Sequence, residues 1–112
     1  MSGADEFERE AMSLGLQNVS RDGRHVSFDL PIPDGAYAGE TRRISAEVPD
    51  DFPLTAPPGP HVSPATVHTG GAVQASPLGP DWTYWSRPAH NWAAERSVRS
   101  WVRHVRSLFA QV

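Results

Sequence analysis

Residues 37–58 read Tyr37-Ala38-Gly39-Glu40-Thr41-Arg42-Arg43-Ile44-Ser45-Ala46-Glu47-Val48, then Pro49-Asp50-Asp51-Phe52-Pro53-Leu54-Thr55-Ala56-Pro57-Pro58. The first half predicts a tight turn and then a strand over Thr41–Val48, with Ile44, Ala46 and Val48 alternating onto one buried face. Pro49 has no N–H to give to a central ladder, so the strand stops there. Six prolines fall between Pro49 and Pro64, which excludes a helix or a long interior strand. His61–Ser63 is left as a short edge strand.

On the N-terminal side, Phe7, Ala11, Met12 and Leu14 predict a short amphipathic helix over residues 5–14, closed near Gly15. Leu16–Ser20 reads as a first strand and Asp22-Gly23 as a hairpin turn. His25–Ile32 alternates, with Val26, Phe28, Leu30 and Ile32 on one face, until Pro33-Asp34-Gly35 breaks it. On the C-terminal side, residues 65–90 show no sustained periodicity and are rich in Gly, Pro, Ser and Thr, which marks a functional segment. Asn91 is the expected N-cap of a final helix, in which Val98, Trp101, Val102, Val105, Leu108 and Phe109 line one face. Arg96, Arg99, Arg103 and Arg106 form a neighbouring, solvated stripe. The order predicts a single α+β domain over 1–112: an N-terminal helix, an antiparallel meander of three to four strands, a long irregular active-site segment and a C-terminal helix.

Composition bounds the chemistry. The 112 residues, 38% hydrophobic and 21% charged, suit one globular core. A net charge of −3 argues against a dedicated nucleic-acid binder. No run has the length of a membrane span, and the acidic start, with Asp5, Glu6, Glu8 and Glu10, does not resemble a leader; a cytoplasmic location with no membrane partner is expected. The chain contains no cysteine, which removes disulfides, thiolate metal sites and thioester chemistry. It contains no lysine either, in keeping with an arginine-, proline- and alanine-rich composition. Its histidines lack metal-ligand spacing, so no metal is expected. Phosphate-binding loops, dinucleotide fingerprints and nucleophile elbows are missing, so no cofactor is expected.

The Tyr37–Pro58 stretch resembles the ubiquitin-conjugating enzyme (UBC) family. There a Tyr-x-Gly turn and a strand lead into Pro-x-x-Tyr-Pro-Phe-x-Pro-Pro, which Pro49–Pro58 matches with one residue more. His68-Thr69-Gly70 partly matches the family's His-Pro-Asn, and Trp92 its later tryptophan. Gly70 stands where the family has an asparagine that helps stabilise an oxyanion. Trp82-x-x-Trp85-Ser86-Arg87, followed by Trp92, resembles a cysteine-lacking bacterial subgroup encoded beside ubiquitin-like and activating-enzyme partners. Pro88 replaces that subgroup's histidine, and His90 lies two positions on.

The resemblance implies a UBC-like fold from about residue 5 onward, a ubiquitin-like protein and an activating-enzyme-like protein as partners, and energy supplied by that separate enzyme from ATP. Counting forward from His68 and backward from Trp92 places the nucleophile near Leu78 and near Tyr84, with Ser76 and Ser86 the nearby hydroxyls. An oxyester on serine needs a base and an oxyanion environment. Ser86 meets this best in sequence, with His90 as base, Arg87 as the cation and the backbone N–H groups at Asn91-Trp92 as further donors. The bland reading of Trp85-Ser86-Arg87 is a turn in which Trp85 packs and Ser86 bonds the backbone. Ser76, flanked by Ala75 and Pro77, has no histidine or charge close in sequence. His68 and Gly70 are expected to order the active-site loop, and Trp82, Trp85 and Trp92 to form a binding surface. Two readings follow: a conjugating protein, or a catalytically inactive UBC-like scaffold that binds a ubiquitin-like protein or activating enzyme. A small unrelated α+β binding module is a third.

Overall fold

The computed structural model describes residues 3–68 and 70–112. Helix α1 (Gly3–Ser13) precedes strands β1 (Gln17–Asp22), β2 (His25–Pro31), β3 (Thr41–Glu47), β4 (His61–Ser63), β5 (Val73–Ala75) and β6 (Thr83–Trp85). A 3₁₀ turn (Trp92–Ala94) and helix α2 (Val98–Ala110) close the chain. The strands form one antiparallel six-stranded sheet in the order β1-β2-β3-β4-β6-β5. The α+β class and the antiparallel sheet agree with the sequence reading.

Period-two alternation builds the core. Val26, Phe28 and Leu30 of β2, Ile44 and Ala46 of β3 and Val62 of β4 are buried together with Phe7 and Ala11 of α1 and Trp101, Val105 and Phe109 of α2. Phe7 meets Trp101 edge-on at 5.8 Å and Phe52 at 5.3 Å, so both helices and the proline-rich segment share one packing centre. The Glu10 carboxylate accepts the Val98 N–H at 2.8 Å, tying α1 to the first turn of α2. Asn18, in the left-handed region at φ 53, sits in the register shift of β1 and donates from Nδ2 to Asp29 at 2.6 Å. That bond, with the Arg43 guanidinium, holds the Asp29 carboxyl below its usual range against the opposing effect of burial.

The Tyr37–Pro58 stretch is fixed at both ends. Tyr37 packs edge-on against Phe109, and the Arg42 guanidinium lies 4.8 Å over its ring. Past Pro49, Trp92 Nε1 donates to Pro53 O at 2.8 Å and Trp101 Nε1 to Pro58 O at 3.3 Å. The prolines cannot supply N–H groups, but their carbonyls accept from the two indoles.

Four expectations need correction. The irregular stretch 65–90 contains β5 and β6, so the sheet has six strands and not three or four. That hairpin pairs with β4, which makes His61–Ser63 an interior strand between β3 and β6 and not an edge. Gly59 permits this approach: a β-carbon there would lie 1.8 Å from Trp85 O. Asn91 does not cap the final helix. It takes a left-handed conformation (φ 56) ahead of the 3₁₀ turn with no side-chain cap, whereas Ser97 Oγ accepts the Ser100 N–H at 3.1 Å and starts α2.

Candidate functional site

Ser86 follows the last residue of β6 and sits on the wall of a cleft of about 320 Å³ with Arg87, His90, His104, Ser107 and Gln111. Its backbone is held by Ser86 N–H to Ala72 O at 2.8 Å and by the neighbouring Arg87 N–H to Trp85 O at 2.8 Å. Trp85 anchors this segment: its ring is fully buried, 4.7 Å from Phe109 and 5.0 Å from His68, and its Nε1 donates to Thr66 O at 2.9 Å. The chain therefore presents Ser86 from a rigid base. Ser86 is exposed, and its hydroxyl makes no hydrogen bond among the described residues.

His90 is exposed on the same cleft and on an adjoining one of about 400 Å³. Its ring stands edge-on to His104 at 6.4 Å, and no bond joins it to Ser86. His104 Nε2–H donates to Arg87 O at 2.8 Å, which ties α2 to the residue after Ser86. His104 and Ser107 lie in the C-terminal half of α2 and Gln111 is its C-cap, far from the Trp-Ser-Arg segment in sequence, and no local pattern points to them.

His68 is a structural histidine. Its Nδ1 accepts the Gly70 N–H at 2.9 Å and its Nε2–H donates to Leu108 O at 3.0 Å, which bolts the loop to α2. Burial lowers its pKa, the bond to Leu108 opposes this, and the nearby Arg87 charge lowers it further. Arg87 Nη2 donates to Gly71 O at 3.0 Å, and a β-carbon on Gly70 would lie 2.4 Å from the same nitrogen. The guanidinium thus fills the space that a side chain at position 70 would occupy. Its Nε is buried without a hydrogen-bond partner among the described residues. Thr69 lies outside the described residues.

Several expected contributions change. The donors expected at Asn91-Trp92 belong to a three-residue 3₁₀ turn, too short to present the aligned N–H groups of a helix N-terminus. Trp85 is core and cannot touch a partner; Trp82 and Trp92 are half-buried, and Trp92 is spent on Pro53 and Phe52. Arg96, Arg99, Arg103 and Arg106 are exposed, with Arg103 paired to Glu95 at 3.3 Å.

The sequence reading also left Ser76 without a histidine, and the sheet supplies one. His61 Nδ1 lies 2.8 Å from Ser76 Oγ, because β4 and β5 both pair with β6. Ser27, Ser45, His61, Tyr84 and Gln74 form one cross-strand row over five strands, on the face turned away from the helices.

Among the described residues no group of three or more His, Asp or Glu side chains is placed to hold a metal ion. No helix among them is long and apolar enough to cross a membrane. Comparison of the chain with protein-family models, with curated proteins and with solved structures returns no match.

Proposed function

We propose that this chain is a ubiquitin-conjugating-enzyme-like protein of a bacterial ubiquitin-like conjugation pathway. It accepts the activated C-terminal glycine of a ubiquitin-like protein from an activating enzyme, as an oxyester on Ser86. The observation that carries this is the exposed Ser86 hydroxyl, presented beside His90 and Arg87 from a segment anchored by the buried Trp85. In the step, Ser86 Oγ attacks the carbonyl of a C-terminal glycine thioester. The Oγ–C bond forms, the C–S bond breaks, and the hydroxyl proton passes by way of His90 to the departing thiolate. The guanidinium of Arg87 stands beside Gly70, the residue that the sequence resemblance aligns with the UBC family's asparagine, and on this reading it supplies the positive charge in that amide's stead.

Reconstitution with the activating enzyme, ATP and the ubiquitin-like partner tests this. The expected product is an adduct sensitive to hydroxylamine and resistant to thiols, mapped to Ser86 by mass spectrometry. An unchanged yield from Ser86→Ala would remove that hydroxyl from the mechanism.

One observation favours the scaffold reading. Among the described residues no base is hydrogen-bonded to Ser86, and Arg87 Nη2 is already engaged by Gly71 O. On that reading the chain binds the ubiquitin-like protein or the activating enzyme through the same cleft without covalent chemistry. Stoichiometric binding with no adduct, in the same reconstitution, distinguishes the two.

A further inference from the structure

We infer that the cleft on the helix-free face of the sheet binds a primary ammonium group on an aliphatic stem, the chemistry of a lysine side chain or a free alkylamine. This cleft shares no residue with that of Ser86 and does not depend on the function read there.

Three observations carry it. The first is shape. The cleft holds about 290 Å³, at the small end for ligand sites, which suits one side chain. Pro58, Ala75 and Pro77 give it apolar sides for a run of methylenes, while Glu47, Gln74 and Tyr84 bring polar heads to the same space.

The second is unspent charge. Apart from His61, Glu47 is the one charged or titratable side chain of ordinary carboxylate or basic type in the lining, and no arginine shares it. Its side chain is 48% exposed and makes no hydrogen bond among the described residues. His25 Nε2 stands 3.6 Å from Oε2, beyond hydrogen-bond length. A carboxylate with free acceptor capacity beside apolar walls selects a cation that carries N–H donors. Because His25 crowds Oε2, the paired oxygens that a guanidinium fork takes are not both open, and a compact ammonium fits better. The chain has no lysine, so that ammonium comes from another molecule.

The third is the aromatic wall. The rings of Tyr84 and His61 lie 4.8 Å apart and both line the cleft, and His25 braces His61 edge-on at 5.3 Å. Aromatic surface holds an alkylammonium better than a neutral alkyl group. Burial first, and His25 next, lower the pKa of His61 while Glu47 opposes them, so at neutral pH this ring carries no charge to repel the ligand.

The test is a titration of the full chain at neutral pH, followed by amide chemical shifts, with three probes: Nα-acetyl-lysine N-methylamide, its norleucine counterpart and butylammonium. The expected result is saturable shifts at Gln74, Ala75 and Tyr84 with the lysine amide, in the millimolar range. The uncharged norleucine amide should bind about fivefold more weakly, and Glu47→Gln should weaken the lysine amide about two- to fivefold. Glu47 is exposed, so this variant keeps the fold, and the norleucine probe tests the charge without any substitution. Tighter binding of the lysine amide than of butylammonium assigns the site to a partner protein's side chain; the reverse, or equality, assigns it to a free amine. Shifts that do not saturate, shifts centred on the Ser86 cleft, equal binding of the norleucine amide, or indifference to Glu47→Gln overturns the inference. Failure of the ubiquitin-like reconstitution leaves it standing, because the probes need no partner protein.

Discussion

A β-carbon on Gly70 would lie 2.4 Å from Arg87 Nη2 and 3.0 Å from His68 Nδ1, so glycine at position 70 and arginine at position 87 fill one space between them. The Arg87 head group ends there because Gly71 O accepts from it at 3.0 Å. The two residues are therefore coupled. Gly70→Ala should displace the guanidinium and weaken the loop, and the same change in an Arg87→Ala background should cost less. A double-mutant cycle by urea unfolding is expected to give a coupling of about 0.5–3 kcal/mol. Additive effects would show that the guanidinium moves aside freely.

The tryptophans of the Trp82–Trp92 segment should separate by burial and not by motif. Trp85 is fully buried between Phe109 and His68 with its N–H on Thr66 O, so Trp85→Ala should destabilise by about 3–5 kcal/mol. Trp82 is half-buried, and its side chain makes no hydrogen bond among the described residues, so Trp82→Ala should cost far less. If Trp82 serves a partner, its loss appears in binding by titration calorimetry and not in the unfolding midpoint.

The start of the last helix gives a sharper contrast. Ser97 satisfies the Ser100 N–H, so Ser97→Ala is expected to cost about 0.5–2 kcal/mol. Asn91 sits at φ 56 with no side-chain cap bond, so Asn91→Gly should be neutral or slightly stabilising. Thermal unfolding of both variants tests this. Equal losses would return Asn91 to a capping role.

The same pair of residues shows what the sequence could and could not reveal. Alternation in β2 and β3 and the apolar stripe of α2 are legible because each is long enough for its period to repeat. Strands β4, β5 and β6 have three residues each, too few to show a period, and exist because β6 pairs with both β4 and β5 while β4 also pairs with β3. The β-branched and aromatic run Thr83-Tyr84-Trp85 was the available clue to β6. Asn91 and Ser97 are both good caps by residue type. After Asn91 the chain makes only a 3₁₀ turn, in which Trp92 is held by Pro53 O and Phe52, and extended Glu95 ends it before Ser97 starts α2. Exposure of Ser86 followed from its place after a buried tryptophan. The Ser76–His61 bond did not, because it depends on strand order.

Acid stability should follow His61. Its pKa is lowered in the folded chain, first by burial and next by His25 on β2, with Glu47 on β3 opposing and Tyr84 on β6 packed against the ring. The unfolded chain therefore binds protons more readily than the folded one below the ordinary histidine pKa of about 6.5. By linkage the stabilisation is fully present above that value and is lost as pH falls from there through the folded pKa. The midpoint of urea unfolding should thus decline between about pH 6.5 and pH 5, a range above most carboxylate titrations. His68, whose pKa burial also lowers, contributes in the same direction. His61→Gln removes one of the two titrating rings, keeps a side chain able to bond Ser76, and should flatten the decline. A midpoint that falls as steeply in the variant as in the native chain would assign the acid sensitivity to other groups.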